Sequence, residues 1–398
     1  MLSKFKLILI SFSAITGKAI SAIWTFPSLI FSAFVIAWAA ETAQFLVSQG
    51  LALALLAWLQ TLPEFAVEAA IAWEAGKDIA KIHLITANFT GSLRLLVGLG
   101  WPMIYFSRAF LGKKHLSAKR FSPIQLEDEH SVEVMGLLLP LIYFVIIYLK
   151  GTLGLFDSVI LTSIYLAYLY ILKKIPPQNE EKLQDACYVA RKVMSFRPAG
   201  RYAAVFGLFL FGGVILYFTA EPFLHSMLGL AVVFGISDFV FVQWVAPFLS
   251  EFPEKLSAFN WARTGKKAPM ALMNMVSSNI NQWTVLVAMI PIVYSLSAGG
   301  ISTVHFDQHQ RLEILLTIAQ STLGFLLLAN MKFHWYEALT LFVLWFSQFI
   351  YPSIREEITV IYFVWIALEL ILGLVQKRQF VAFEKFGTLI KKYVLRKK

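Results

Sequence analysis

Apolar runs of about 20 residues, separated by short polar stretches, recur along the whole chain. A run of that length is what an α-helix needs to cross a bilayer. The runs predict spans at 27–47, 49–73, 82–106, 133–149 and 153–172, then at 203–222, 236–261, 270–295, 312–331 and 335–352, with a further one at 357–376. Polar residues interrupt this pattern twice in the same way. Thr61-Leu62-Pro63-Glu64 is followed by Gly76-Lys77 and Ala87-Asn88-Phe89, and Glu251-Phe252-Pro253-Glu254 by Gly265-Lys266 and Ser278-Asn279-Ile280. The paired Pro, Gly and Asn positions all lie about 190 residues apart, and matching interruptions in two halves point to the binding site of a transporter. A carboxylate beside a helix-breaking proline is costly in lipid and tends to mark an ion pathway.

The pattern predicts an all-α polytopic membrane protein with two five-helix repeats, some ten core transmembrane helices and at least one extra C-terminal span. Its segments are an N-terminal interfacial or extra spanning stretch (1–24), a first repeat (25–174), a cytoplasmic loop (175–200), a second repeat (201–353), and the extra span with a basic amphipathic tail (354–398). Five spans is an odd number, so the second repeat must enter the membrane inverted relative to the first. Within the loop, Asn179 to Met194 reads as a short helix capped by Asn179. Near the start, Lys4 and Lys6 precede an apolar run from Leu7 to Ile15 that looks like a signal sequence, but Lys18 interrupts it.

Composition narrows the class. The chain is 58% hydrophobic and 15% charged, whereas soluble domains carry about 25% charged residues. The net charge of +10 sits in the loops and at the C-terminus, which fits a cytoplasmic membrane face rather than nucleic acid. Basic residues in 107–132, 173–202 and 262–269, at Lys332 and in the tail all fall on one side if the spans alternate. The tail from Lys377 onward interleaves Phe380, Phe383 and Phe386 with cations, a pattern suited to anionic lipid. A single cysteine, Cys187, excludes an intramolecular disulfide. His305 and His309 form a helical pair without a third ligand, and no nucleotide or metalloprotease motif is present. No catalytic residue and no cofactor are therefore expected, the partners being inorganic cations and lipid. The oligomeric state stays open.

At the two interruptions the chain resembles the cation/calcium antiporter superfamily, which includes sodium/calcium exchangers. Each repeat of that superfamily has a G-T-S-L-P-E-like segment and then a G-S-N-I-x-N/D-like one. The first pair here reads Leu59-Gln60-Thr61-Leu62-Pro63-Glu64 and Thr86-Ala87-Asn88-Phe89-Thr90-Gly91. The second reads Leu249-Ser250-Glu251-Phe252-Pro253-Glu254 and Ser277-Ser278-Asn279-Ile280-Asn281-Gln282. The likeness covers roughly residues 25–352 and implies two inverted repeats with ion sites at their interface. It further implies a secondary antiporter exchanging Ca2+ or a related cation against Na+ or H+. On this resemblance Glu64 and Glu254 are the paired central carboxylates and cation ligands. Thr61, Ser250 and Ser278 match its hydroxyls, and Asn88 and Asn279 its asparagines. The chain departs from the pattern where Gly91 and Gln282 replace Asn or Asp, Gln60 and Glu251 replace hydroxyl residues, and Ala87 replaces serine.

The residues themselves suit that chemistry. Hard cations take oxygen ligands, and proline frees backbone carbonyls to supply some of them. Two glutamates balance one divalent ion or two monovalent ones, and Glu251, three residues before Glu254, can share a proton with it. The expected ion-binding set is Glu64, Glu254, Thr61, Asn88, Ser250, Glu251, Ser278, Asn279 and Gln282, modulated by Arg94, Gln60 and Asn281. Arg94, one turn beyond Gly91, either faces a site carboxylate in place of a bound cation or snorkels to the interface. The departures from the motif also support an alternative, a non-transporting or altered-specificity descendant serving as a membrane scaffold or sensor.

Overall fold

The computed structural model describes residues 17–46, 58–112, 120–176, 183–375 and 379–395. The signal-like run and the Asn179 cap lie outside them. In chain order the first helices are α1 (Ala22–Ala43), α2 (Leu62–Lys77), α3 (Ile82–Leu95), α4 (Trp101–Leu111), α5 (Ser131–Gly136), α6 (Leu138–Lys150) and α7 (Leu155–Lys174). A short helix α8 (Tyr188–Met194) follows in the loop. Then come α9 (Pro198–Phe234), α10 (Asp238–Ser250), α11 (Phe252–Arg263), α12 (Ala268–Asn281), α13 (Val287–Ser297), α14 (Gln308–Leu328) and α15 (Trp335–Ile350). The extra span is α16 (Arg355–Leu374), and the tail forms α17 (Val381–Leu389).

Eight helical stretches among the described residues are long and apolar enough to cross a membrane. The predicted spans that fall short are informative. One is α15, sixteen residues long. Another, 236–261, is broken into α10 and α11 at Glu251, while 49–73 lies partly outside the described residues and turns at Thr61 before α2 begins at Leu62. A proline cannot donate its missing N–H and crowds the preceding turn, so each Pro-Glu step starts a helix rather than sitting inside one.

Four two-residue strands bind the halves together. Ile124–Gln125 (β1) pairs antiparallel with Lys332–Phe333 (β4), and Thr152–Leu153 (β2) with Val304–His305 (β3). Partners are thus exchanged between the halves, as a two-fold relation between them requires. The surroundings repeat as well. The backbone N–H groups of Glu127, Gly154, Asp307 and His334 each donate to the side chain three residues on, at 2.7–3.3 Å, opening the helix after each strand. Gly151 and Met331, just before β2 and β4, both take positive φ, 67° and 60°.

The helices sort by burial. Those of 79–111, 268–297 and 308–328 are mostly enclosed, whereas α1, α7, α9 and α16 expose broad apolar faces such as Phe156, Val159, Tyr217, Phe218 and Leu368, suited to lipid. α1 and α9 pack along each other through small residues, Ser32 Oγ donating to the Gly212 carbonyl at 2.7 Å and Thr25 meeting Ser226 at 2.9 Å. The tail helix α17 docks on protein: the Ala382 N–H donates to the Ala329 carbonyl at 2.9 Å, and Lys385 reaches Asp128 at 3.2 Å.

Candidate ion-binding site

Pro63 and Pro253 occupy the first turns of α2 and α11, and Glu64 and Glu254 follow them directly. A carboxylate there faces the positive end of the helix dipole, which offsets part of its desolvation. Glu251 sits in the break before α11, with φ −95° and ψ 4°. All three carboxylates are buried.

Helices α3 and α12 supply the groups that hold them together. The Ser92 hydroxyl lies between Glu64 Oε1 and Glu251 Oε1, in close contact with both. The Gln282 amide donates to Glu64 Oε2 at 2.7 Å and to Glu251 Oε1 at 3.0 Å. The ammonium of Lys255 pairs closely with the other oxygen of Glu251. The Ser278 hydroxyl bonds Glu254 Oε1, and the Asn274 amide lies 3.5 Å from that oxygen and 3.4 Å from Gln60 Oε1. Glu254 Oε2, Gln282 Oε1 and Asn274 Oδ1 are buried and have no hydrogen-bond partner in the protein. Buried oxygens are normally satisfied. Three left open beside carboxylates fit a hard cation as cargo.

Both helices that follow the Pro-Glu steps loosen at the same place. α3 passes through a π-helical turn, Leu96–Gly100, into α4, and α12 through another, Gln282–Leu286, into α13. Such turns recur at functional positions in helices. The second begins at the glutamine that bridges Glu64 and Glu251.

The structure corrects the expected register of the first half. Ser92, rather than Ala87, is the counterpart of Ser278, because each hydroxyl bonds its own half's Pro-Glu carboxylate. Asn88 matches Asn274, and its amide donates to Glu68 at 2.5 Å instead of to Glu64. Ser92 lies 28 residues beyond Glu64 but Ser278 only 24 beyond Glu254. Allowing that shorter connection in the second half is the signal that would have found Ser92. Gly91 is a packing residue, since a Cβ there would overlap the Gln243 backbone on α10. Lys255 and Asn274 were also missed.

Among the other expected ligands, Asn279, Thr61 and Ser250 donate to backbone carbonyls rather than to the carboxylates. The Asn279 amide donates to the Leu93 carbonyl at 3.4 Å, and the Asn281 amide is buried without a partner. Thr61 and Ser250 donate to carbonyls of their own helical turn, Trp58 at 2.8 Å and Ala246 at 2.9 Å, and keep only their lone pairs for a ligand. Arg94 reaches neither Glu64 nor Glu254, nor the interface. It is fully buried, pairs with Glu313 of α14 at 2.5 Å and bonds Gln348 of α15 at 2.8 Å. Arg355, at the start of α16, pairs with the other oxygen of the same Glu313 and donates to Gln243 at 2.8 Å. A guanidinium cannot lose its charge to escape burial, so this separate cluster is the alternative to lipid exposure.

The fold and the buried carboxylates define a polytopic membrane protein of the ion-exchanger class. A family model described as sodium/calcium exchanger protein matches residues 13–174 and 204–352, and the chain belongs to that family. Among solved structures it is similar to the H+/Ca2+ exchanger CAX, with 32% identity over 98% of both chains and a TM-score of 0.84. The sodium-calcium exchanger NCX_Mj shares the fold at 19% identity, covering 85% of this chain and 99% of that one, with a TM-score of 0.54. So does YfkE, at 14% identity, 90% and 99% coverage and a TM-score of 0.56. A search of the curated proteins found no match.

Proposed function

We propose that this protein is a secondary antiporter that exchanges Ca2+, or a closely related divalent cation, against Na+ or H+. The observation that carries this reading is the set of buried carboxylates in which Ser92 and Gln282 join Glu64 to Glu251 and Ser278 bonds Glu254, with open buried oxygens on Glu254, Gln282 and Asn274. Its similarity to CAX, an H+/Ca2+ exchanger, supports the same class of cargo. Alternating access would come from the two halves lying inverted in the membrane, with basic loops and tail cytoplasmic. The features behind the scaffold or sensor alternative lose their force: Gly91 packs against α10, Gln282 bridges carboxylates, and Arg94 is engaged by Glu313.

The test is uptake of labelled Ca2+ into proteoliposomes under an imposed Na+ or pH gradient. Saturable, gradient-driven uptake is expected. It should fall to background in Glu64→Gln and Glu254→Gln proteins, because each loses a charge that balances the divalent ion. Variants as fast as the parent would sink the reading.

A further inference from the structure

We infer that the Lys255 ammonium acts as a tethered cation in the ion site, taking the place a monovalent ion would occupy at Glu251 and excluding Na+ as counter-ion. This rests on the exchange reading above and names the selectivity of that same site. Lys255 is 5% exposed and directly follows Glu254, and its amine is held on Glu251 Oε2. The other oxygen of Glu251 already takes Ser92 and Gln282, so both ends of this carboxylate are engaged.

The pair is asymmetric between the halves. The residues that correspond to Glu251 and Lys255 in the first half are Thr61 and Phe65. The second half thus carries an anion and a cation, four residues apart and paired, that the first half lacks at the matching positions. With its three carboxylates ionised and Lys255 protonated, the cluster would carry two net negative charges. One divalent ion balances that. A free Na+ at Glu251 would have to displace an ammonium that is already covalently held beside the carboxylate. Glu254 Oε2, Gln282 Oε1 and Asn274 Oδ1 are among the buried oxygens left without a partner, and hard cations take such oxygens as ligands. Glu68, bonded to Asn88, lies outside this set of shared donors.

The experiment measures labelled Ca2+ uptake by the full chain in proteoliposomes, driven by a pH gradient or a Na+ gradient, for the parent and for Lys255→Gln and Lys255→Arg. In the parent the pH gradient should drive uptake, the Na+ gradient should not, and excess external Na+ should leave the rate within about twofold. In Lys255→Gln, external Na+ should slow uptake by about tenfold or more, the loss of one charge contact near a partly screened carboxylate. Lys255→Arg keeps the charge and should stay insensitive to Na+. Uptake in the parent driven equally by Na+ overturns the inference, as does a Lys255→Gln protein that moves Ca2+ and still ignores Na+. Should Lys255→Gln not fold, Na+ competition against Ca2+ binding by the purified parent decides: competition overturns the inference, and indifference upholds it. No Ca2+ uptake by the parent under either gradient is a different signature, which overturns the exchange reading and this inference with it.

Discussion

At the scale of single residues, what the sequence announced and what it concealed follow from cost. Glu64 and Glu254 were legible because a carboxylate beside proline in an apolar run has no cheap structural reason to be there. Ser92 was not, since a serine in a membrane helix satisfies itself on its own turn and stands out from nothing. Lys255 hid for another reason: Glu and Lys four apart is the commonest pairing on exposed helices, and spacing alone does not separate a buried pair from a solvated one. Ser92→Ala removes the hydroxyl held between Glu64 and Glu251. Hydrogen bonds to charged groups contribute roughly 1.5–3 kcal/mol, so uptake should fall by about tenfold to a hundredfold in the flux assay. Asn88→Ala, which touches Glu68 alone among the carboxylates, should cost less. The loop thiol gives a prediction in pH. Burial, and then the neighbouring Glu41 carboxylate, push Cys187 up to about 12. Only the thiolate reacts. Alkylation at pH 8 should therefore be slow, rise about tenfold per pH unit until near that value, and be faster throughout in Glu41→Gln.

At the scale of elements, periodicity and length recovered the helices, and the misfit lay where two of them cross. α3 and α10 approach so closely at Gly91 that its missing side chain is filled by the Gln243 backbone. An alanine there forces the helices apart and carries Ser92 with it. Gly91→Ala should destabilise the protein by about 1–3 kcal/mol, visible as a lower melting temperature in detergent. A ligand-position reading of residue 91 would predict lost binding at unchanged stability. Arg94 and Arg355 hold α3 and the extra helix α16 to one glutamate on α14. Removing one partner of a buried pair typically costs about 3–5 kcal/mol. Arg94→Leu should thus unfold at markedly lower temperature, and faster hydrogen exchange in 355–374 would show that α16 has loosened. The partners of Arg94 were not legible beforehand because Glu313, Gln348 and Arg355 lie far along the chain and each sits at the edge of its own apolar run.

At the scale of the whole molecule, the repeat seen in the sequence returns as exchanged strands, matching helix starts and matching π-helical turns. The Pro-Glu helices make reciprocal contacts, as inverted halves predict: the end of α2 abuts α13, Ser297 Oγ donating to the Trp73 carbonyl at 2.5 Å, while α11 packs against α4. A cysteine placed at Asp78 and one at Lys266 should therefore react with an impermeant reagent from opposite faces of sealed vesicles. Labelling of both from one face would contradict an inverted arrangement.

The exchanged strands carry a consequence for descent. Each half contains one strand of both ribbons, yet pairs neither within itself: β1 needs β4, and β2 needs β3. A separate copy of the first half could bond its strands by facing a second identical copy across the two-fold axis, β1 of each against β2 of the other. The single chain makes within itself the pairings that two identical copies would make between them, and a single chain leaves its two halves free to differ. That difference is what lets one half carry Glu251 with Lys255 where the other carries Thr61 with Phe65.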